Sequence, residues 1–271
     1  MQPQGAPRIE LPDVRHVVAV ASGKGGVGKS TVAANLALAL ARGGSQVGLM
    51  DADIYGPSIP MMFGVACPVD QQTTPLPLER FGIRLMSMGF VVPVEQAVVW
   101  RGPMVDRALR QFLTQLPWGK LDFLVIDLPP GTGDAQLTLS QHAPLSGAVI
   151  VTTPQDVSLI DARKGVAMFE QVRVPVLGII ENMSYFVGDD GKRYELFGHG
   201  GGRRLAEEVG VPFLGEIPID PRVVACGDSG EPIVSRYPDC PVAEAFARLI
   251  PPIKSRLADL DTANALPEVQ L

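Results

Sequence analysis

The sequence predicts an α/β fold in three layers, a mostly parallel central sheet of about seven or eight strands flanked by helices. Three observations carry this. Short runs rich in Val, Ile and Leu recur along the chain and alternate with longer helical patterns, the order that crossover helices and parallel strands impose. Most of those runs are apolar throughout rather than at every second residue, as strands covered on both faces are. Hydrophobic residues make up 46% and charged residues 19% of the 271, enough to fill a core on each side of such a sheet.

In chain order, residues 1–14, MQPQGAPRIELPDV, read as a flexible lead-in containing three prolines. Strands are predicted at Val17–Ser22, Gln46–Met50, Ile83–Met88, Phe123–Ile126, Ala148–Val151, Val176–Ile180 and Phe213–Glu216. Helices are predicted at Lys29–Arg42, Pro103–Leu116, Ala135–Gln141, Leu159–Val172, Gly202–Val209 and Pro241–Ala258. Cys67–Arg80, CPVDQQTTPLPLER, reads as a surface loop. No internal repeat, low-complexity tract or linker divides the chain, so residues 15–260 form one expected domain and 261–271 a C-terminal tail.

The first strand and first helix enclose the most informative stretch, His16–Thr31, HVVAVASGKGGVGKST. Its turn, Gly23-Lys24-Gly25-Gly26-Val27-Gly28-Lys29-Ser30, fits the phosphate-loop pattern G-x-x-x-x-G-K-[ST]. Glycines let the backbone close around an anion with its N–H groups inward, and the following helix N-terminus adds a partial positive charge. Lys29 is placed to reach the β- and γ-phosphates, and the Ser30 hydroxyl to bind Mg²⁺. With Thr31 at its end, the loop defines a P-loop NTPase fold and a nucleoside triphosphate site.

Ligands in such sheets lie beyond the carboxyl ends of the strands. After the second strand comes Asp51-Ala52-Asp53, two carboxylates that are costly to desolvate without work or partners. Two apart in extended chain, they point the same way. Asp51 is expected in the Mg²⁺ shell and Asp53 on the attacking water. After Phe123–Ile126 comes Asp127-Leu128-Pro129-Pro130-Gly131-Thr132-Gly133-Asp134, where Asp127 has the position of the second Mg²⁺ carboxylate. Gly131 and Gly133 allow the turn to approach a γ-phosphate and to move when it leaves.

Bulk properties narrow the class. A net charge of −6 argues against general nucleic-acid binding. No apolar run is long enough to span a membrane, and the N-terminal stretch lacks a signal-peptide pattern. Cys67, Cys226 and Cys240 are odd in number and far apart, which speaks against a disulfide framework and for a cytoplasmic protein.

Lys24, inside GKGGVGKS, resembles the signature lysine of the deviant Walker A ATPases, the group of MinD, ParA, the nitrogenase iron protein and the Mrp/ApbC proteins. Longer stretches are similar to Mrp/ApbC in particular: DADIYGPSIPMMFG (Asp51–Gly64), WRGPMV (Trp100–Val105), DLPPGTGD (Asp127–Asp134) and VTTPQDVSLIDARKG (Val151–Gly165). ENMSYF (Glu181–Phe186), FGHGGG (Phe197–Gly202) and LGEIPID (Leu214–Asp220) extend the likeness. The resemblance implies a homodimer around nucleotide, with Lys24 acting in trans on the partner's ATP. It also implies Asn182 on the adenine, the loop after Pro218 enclosing it, and a protein client such as an apo iron–sulfur protein.

One departure stands out. The family's C-x-x-C pair, which holds an iron–sulfur cluster, belongs between ENMSYF and FGHGGG, and residues 187–196, VGDDGKRYEL, contain no cysteine. Clusters are held by thiolates, with histidine an occasional substitute. Asp189-Asp190-Gly191 reads instead as a tight hairpin turn between two short strands. Cys226, Cys240 and Cys67 lack metal-ligand spacing and read as small buried hydrophobes, and His199 as a turn residue. The expected function is an ATP-hydrolysing homodimer resembling iron–sulfur cluster carriers. The alternative is a metal-free, nucleotide-gated switch that binds a client. A membrane-positioning role is disfavoured by the acidic, proline-interrupted C-terminal stretch, and a DNA-segregating role by the net charge.

Overall fold

The computed structural model describes residues 9–54, 56–65, 76–91 and 102–265. Tyr55, Cys67, Trp100 and most of the expected Cys67–Arg80 loop lie outside them. The central sheet has eight strands in the order β10-β7-β6-β1-β5-β2-β4-β3. They are β1 (Val14–Ala21), β2 (Val47–Asp51), β3 (Leu78–Arg80), β4 (Ile83–Ser87), β5 (Leu121–Asp127), β6 (Gly147–Thr152), β7 (Val176–Glu181) and β10 (Phe213–Glu216). All pairings are parallel except β3 with β4. The helices are α1 (Lys29–Arg42), α2 (Ile59–Met62), α3 (Gly102–Thr114), α4 (Asp134–His142), α5 (Asp156–Gln171), α6 (Gly201–Val209), α7 (Pro221–Asp228), α8 (Ile233–Arg236) and α9 (Pro241–Ala265).

Alternation along the buried strands builds two cores. Val17, Ala19 and Ala21 of β1 face one, with Leu109 and Phe112 of α3, Leu139 of α4, Phe169 of α5 and Leu205 of α6. Val18 and Val20 face the other, with Leu36 and Leu40 of α1 and Phe246, Leu249 and Ile253 of α9. Helices therefore cover both faces, which is why the strands read as continuous apolar runs. Helix α1 is buried almost all round, between sheet and α9, and its one amide is engaged at both ends: Asn35 Nδ2 donates to Thr31 O at 2.9 Å and Oδ1 accepts from Val234 N at 3.1 Å.

Several expectations shift. Residues 78–80, expected in a loop, form the antiparallel edge strand β3. The expected lead-in includes buried Ile9, and Val14 opens β1. The expected tail from residue 261 is helical as far as Ala265. Helix α7 was not expected; Asp220 caps it by accepting from Arg222 N at 2.9 Å, with Pro221 in its first turn. The hairpin was expected: β8 (Phe186–Val187) pairs antiparallel with β9 (Arg193–Tyr194), and Gly191 supplies φ +73° in the turn. Near α7, two chain segments cross at glycines: a Cβ on Gly230 would lie 2.4 Å from Gly64 Cα.

Candidate nucleotide site

The carboxyl ends of β4, β2 and β5 lie side by side, so register alone aligns Ser87, Asp51 and Asp127 in a row. Asp51 and Asp127 are fully buried. Lys29, the first residue of α1, reaches into the row, with Nζ 2.5 Å from Asp127 Oδ1 and 3.2 Å from Ser30 Oγ. Asp51 Oδ1 accepts from Asp53 N at 3.0 Å, and Oδ2 accepts from Ser87 Oγ at 3.0 Å and Ile59 N at 3.2 Å. Ser87 was missed in the sequence because a serine at a strand end is informative only once the strand order puts it beside Asp51.

The charges set one another. Burial and the Asp127 carboxylate push Asp51 up to about 8. Burial also raises Asp127, opposed by Lys29. Two carboxylates and one ammonium leave an excess negative charge that a low-dielectric pocket disfavours. Asp127 Oδ2 is buried with no hydrogen-bond partner. An orphaned carboxylate oxygen, a neighbouring carboxylate and the Ser30 hydroxyl form an oxygen-rich set of the kind that a hydrated Mg²⁺ takes. The residues fit that ion.

The phosphate loop closes over this row. Gly26 and Gly28 have φ of +82° and +80°, a region L side chains rarely adopt. No heavy atom lies within 4 Å of a Cβ built on Gly25 or Gly26, so the loop is open toward solvent at those residues. Gly23 is required for a different reason, since a Cβ there would lie 2.0 Å from Asp161 O of α5. Ser22 Oγ donates to Lys24 O at 2.8 Å, holding the loop's entry, and Lys24 is half-buried at its rim. Val27 is buried and Thr31 partly buried on the α1 side. The turn after Asp127 is tied to the same loop: Gly131 N donates to Ser22 O at 3.0 Å.

Of the residues expected to act together, Lys29, Ser30, Asp51, Asp53 and Asp127 are gathered in one place. Asp53 is buried and accepts from Gly56 N at 3.2 Å. Asn182 is buried against the loop, its Nδ2 donating to Val27 O at 2.8 Å, so its amide is engaged with the loop backbone. Cys226 and Cys240 are buried. Cys240 Sγ accepts from Ala243 N at 3.4 Å at the start of α9, and burial raises the Cys226 thiol. The hairpin is pinned by polar contacts: Tyr194 Oη donates to Asp190 at 2.9 Å, Arg193 donates to Glu216 at 2.9 Å and stacks 3.8 Å above Tyr185. His199 Nδ1 lies 2.9 Å from Glu195. Among the described residues, no group of three or more His, Cys, Asp or Glu forms a metal-holding cluster, and no helix is long and apolar enough to cross a membrane.

A phosphate loop opening α1, with a buried lysine–aspartate pair beneath it at the ends of a parallel sheet, defines the class: a P-loop NTPase. Within that class the chain belongs to the family described as ParA: NUBPL iron-transfer P-loop NTPase, which matches residues 13–254. It is 54% identical over 244 residues to the iron–sulfur cluster carrier protein of Aquifex aeolicus, covering 88% of this chain and 67% of that one. It is 50% identical over 259 residues to the protein of the same name from Synechocystis, covering 93% and 73%. Among solved structures, the nucleotide-binding protein of Archaeoglobus fulgidus in complex with ADP matches with TM-score 0.72 and 42% identity, over 86% of this chain and 92% of that one.

Proposed function

We propose that this chain binds ATP with Mg²⁺, hydrolyses it as a homodimer, and serves the delivery or assembly of iron–sulfur clusters in client proteins. The observation that carries the reading is the buried row of Lys29, Asp127 and Asp51 beneath an open glycine loop. That constellation is expensive to bury and is explained by a phosphate and a divalent cation. The names of the relatives supply the cargo, and the ADP complex of the Archaeoglobus protein supports the nucleotide.

In this reading, backbone amides of Gly25–Lys29 bind the phosphates, Lys29 neutralises the β- and γ-oxygens, and Ser30, Asp51 and Asp127 hold the metal shell. Mg²⁺ supplies charge neutralisation at the transferring phosphoryl group. Asp53 orients the attacking water, and Lys24 of one protomer offsets charge developing on its partner's nucleotide, as an arginine finger does. Asn182 holds the loop and offers its remaining amide capacity to the adenine. Loss of the γ-phosphate frees the segments after Asp51 and Asp127. The scattered, odd-numbered cysteines fit a cytoplasmic setting.

The hairpin of residues 187–196 does not fit as a cluster ligand, because it offers carboxylates, Tyr194 and Arg193 and no thiolate. No step is assigned to a cluster held there. The same observation favours a second reading, a nucleotide-gated switch acting on a client without carrying its cluster. Anaerobic reconstitution of the full chain with iron and sulfide, followed by iron counting and an ATPase assay, separates the two. About one cluster per dimer supports the carrier. Colourless protein with intact ATPase activity supports the switch, and absent ATP binding refutes both.

A further inference from the structure

Two consecutive residues at the end of β7 do opposite jobs. Asn182 faces the phosphate loop, donating to Val27 O at 2.8 Å and sitting so close to Gly28 that a Cβ there would meet Nδ2 at 2.3 Å. Glu181, fully buried, faces the other way. Its Oε2 accepts from Gly202 N in the first turn of α6 at 2.6 Å, and its Oε1 from Ser184 Oγ at 2.5 Å. The fit is tight, for a Cβ on Gly202 would lie 3.1 Å from Glu181 Cβ.

A buried carboxylate needs compensation for its lost hydration. Glu181 takes it from the positive end of α6 and a hydroxyl, a charge-assisted arrangement stronger than a neutral pair. The segment held between these two contacts runs from Ser184 to Gly202. It contains the β8–β9 hairpin and carries the exposed apolar residues Val187, Tyr194, Leu196 and Phe197. Both ends of the segment are thus fastened to one carboxylate, whose neighbour in the chain touches the nucleotide loop. The strand end is hydrogen-bonded on both sides: Asn182 N donates to Thr152 O and Ile217 N donates to Glu181 O.

We propose that Glu181 is a positioning residue that transmits the nucleotide state of the phosphate loop to the hairpin. When a triphosphate fills the loop, Val27 and Gly28 press on Asn182, the end of β7 shifts, and Glu181 carries α6 and the hairpin with it. The inference rests on nucleotide binding at the loop and adds the element that reports it to the surface offered to a partner.

The test is hydrogen–deuterium exchange over residues 184–204 of the full chain, with and without MgADP and the slowly hydrolysed analogue MgATPγS, beside a direct binding titration. In the parent protein, nucleotide changes protection of this segment on the order of tenfold, the scale of ordinary coupling energies. Glu181→Ala binds nucleotide within about threefold of the parent yet loses that change. Glu181→Gln, which keeps an acceptor for Gly202 N, restores part of it and guards against a simple folding defect. Retained nucleotide-dependent protection in Glu181→Ala overturns the proposal, as does a parent hairpin indifferent to nucleotide that binds. A parent that binds no nucleotide refutes the proposed function instead.

Discussion

Asp51 and Asp127 are register partners on adjacent parallel strands, two carboxylates brought side by side with complete burial. Such a pair tolerates ionisation only with cations at hand, and among the described residues Lys29 is the cation paired with it. Lys29→Ala leaves both carboxylates without it. The expected outcome is loss of ATP binding and a destabilisation of roughly 3–5 kcal/mol in the nucleotide-free protein, because a buried charge is left unpaired. Isothermal titration and chemical unfolding check the two arms separately.

Asp53 lies two residues from Asp51, to which its N donates, and its carboxylate accepts from Gly56 N. Asp53→Ala is expected to lower turnover on the order of a hundredfold or more while ATP still binds. Single-turnover hydrolysis beside equilibrium binding measures this, and unimpaired turnover removes Asp53 from the chemistry.

Lys24 stands at the loop's rim and belongs to the other protomer's reaction in the proposed dimer. Lys24→Ala is expected to bind ATP nearly as the parent does and to lose about a thousandfold in hydrolysis, the scale of a missing finger residue. Mixing it with Asp53→Ala protein provides the decisive measurement. Mixed dimers that regain activity place Lys24 in trans, whereas unchanged activity in Lys24→Ala alone refutes the role.

Gly28 combines a left-handed φ of +80° with the Asn182 amide against its Cα. Gly28→Ala is expected to cost at least about 1–2 kcal/mol from backbone strain, with the amide clash added, and to weaken ATP binding. Thermal unfolding with and without ATP reads both effects.

His16 gives a pH dependence far from the nucleotide. Burial lowers its pKa from 6.5, opposed by Asp261 and Asp122 and assisted by Arg15. Lys254 lines the same cavity. The folded state binds this proton less readily than the unfolded chain does. Its contribution is therefore complete above pH 6.5 and is lost as pH falls through 6.5 toward the lowered folded value. Melting temperatures of parent and His16→Gln between about pH 7.5 and about 5.5 are expected to diverge, with the parent falling more.

What the sequence made legible was local. The glycines and Lys29 of the loop advertise themselves because the motif is contiguous, and Asp51 and Asp127 because each ends an apolar run. The hairpin turn at Asp189-Asp190-Gly191 was legible for the same reason. Ser87 and Glu181 were not, since their meaning depends on neighbouring strands and on a helix start that is remote in sequence. His16 and Asp261 are remote in sequence, yet Asp261 of α9 approaches the Nε2 of His16 to 3.8 Å. Strand β3 has only three residues, too few for any periodicity to show.

The crossing of Gly64 and Gly230 leaves no room for a side chain on either segment. Backbone lies against backbone there, so a methyl group at Gly230 would have to push the two segments apart. The stretch that begins at Asp51, whose carboxylate holds Ile59 N, ends at that crossing. Ile59 and Phe63 of that stretch are fully buried in the core that packs on α1, so parting the crossing would strain the packing that leads back to Asp51.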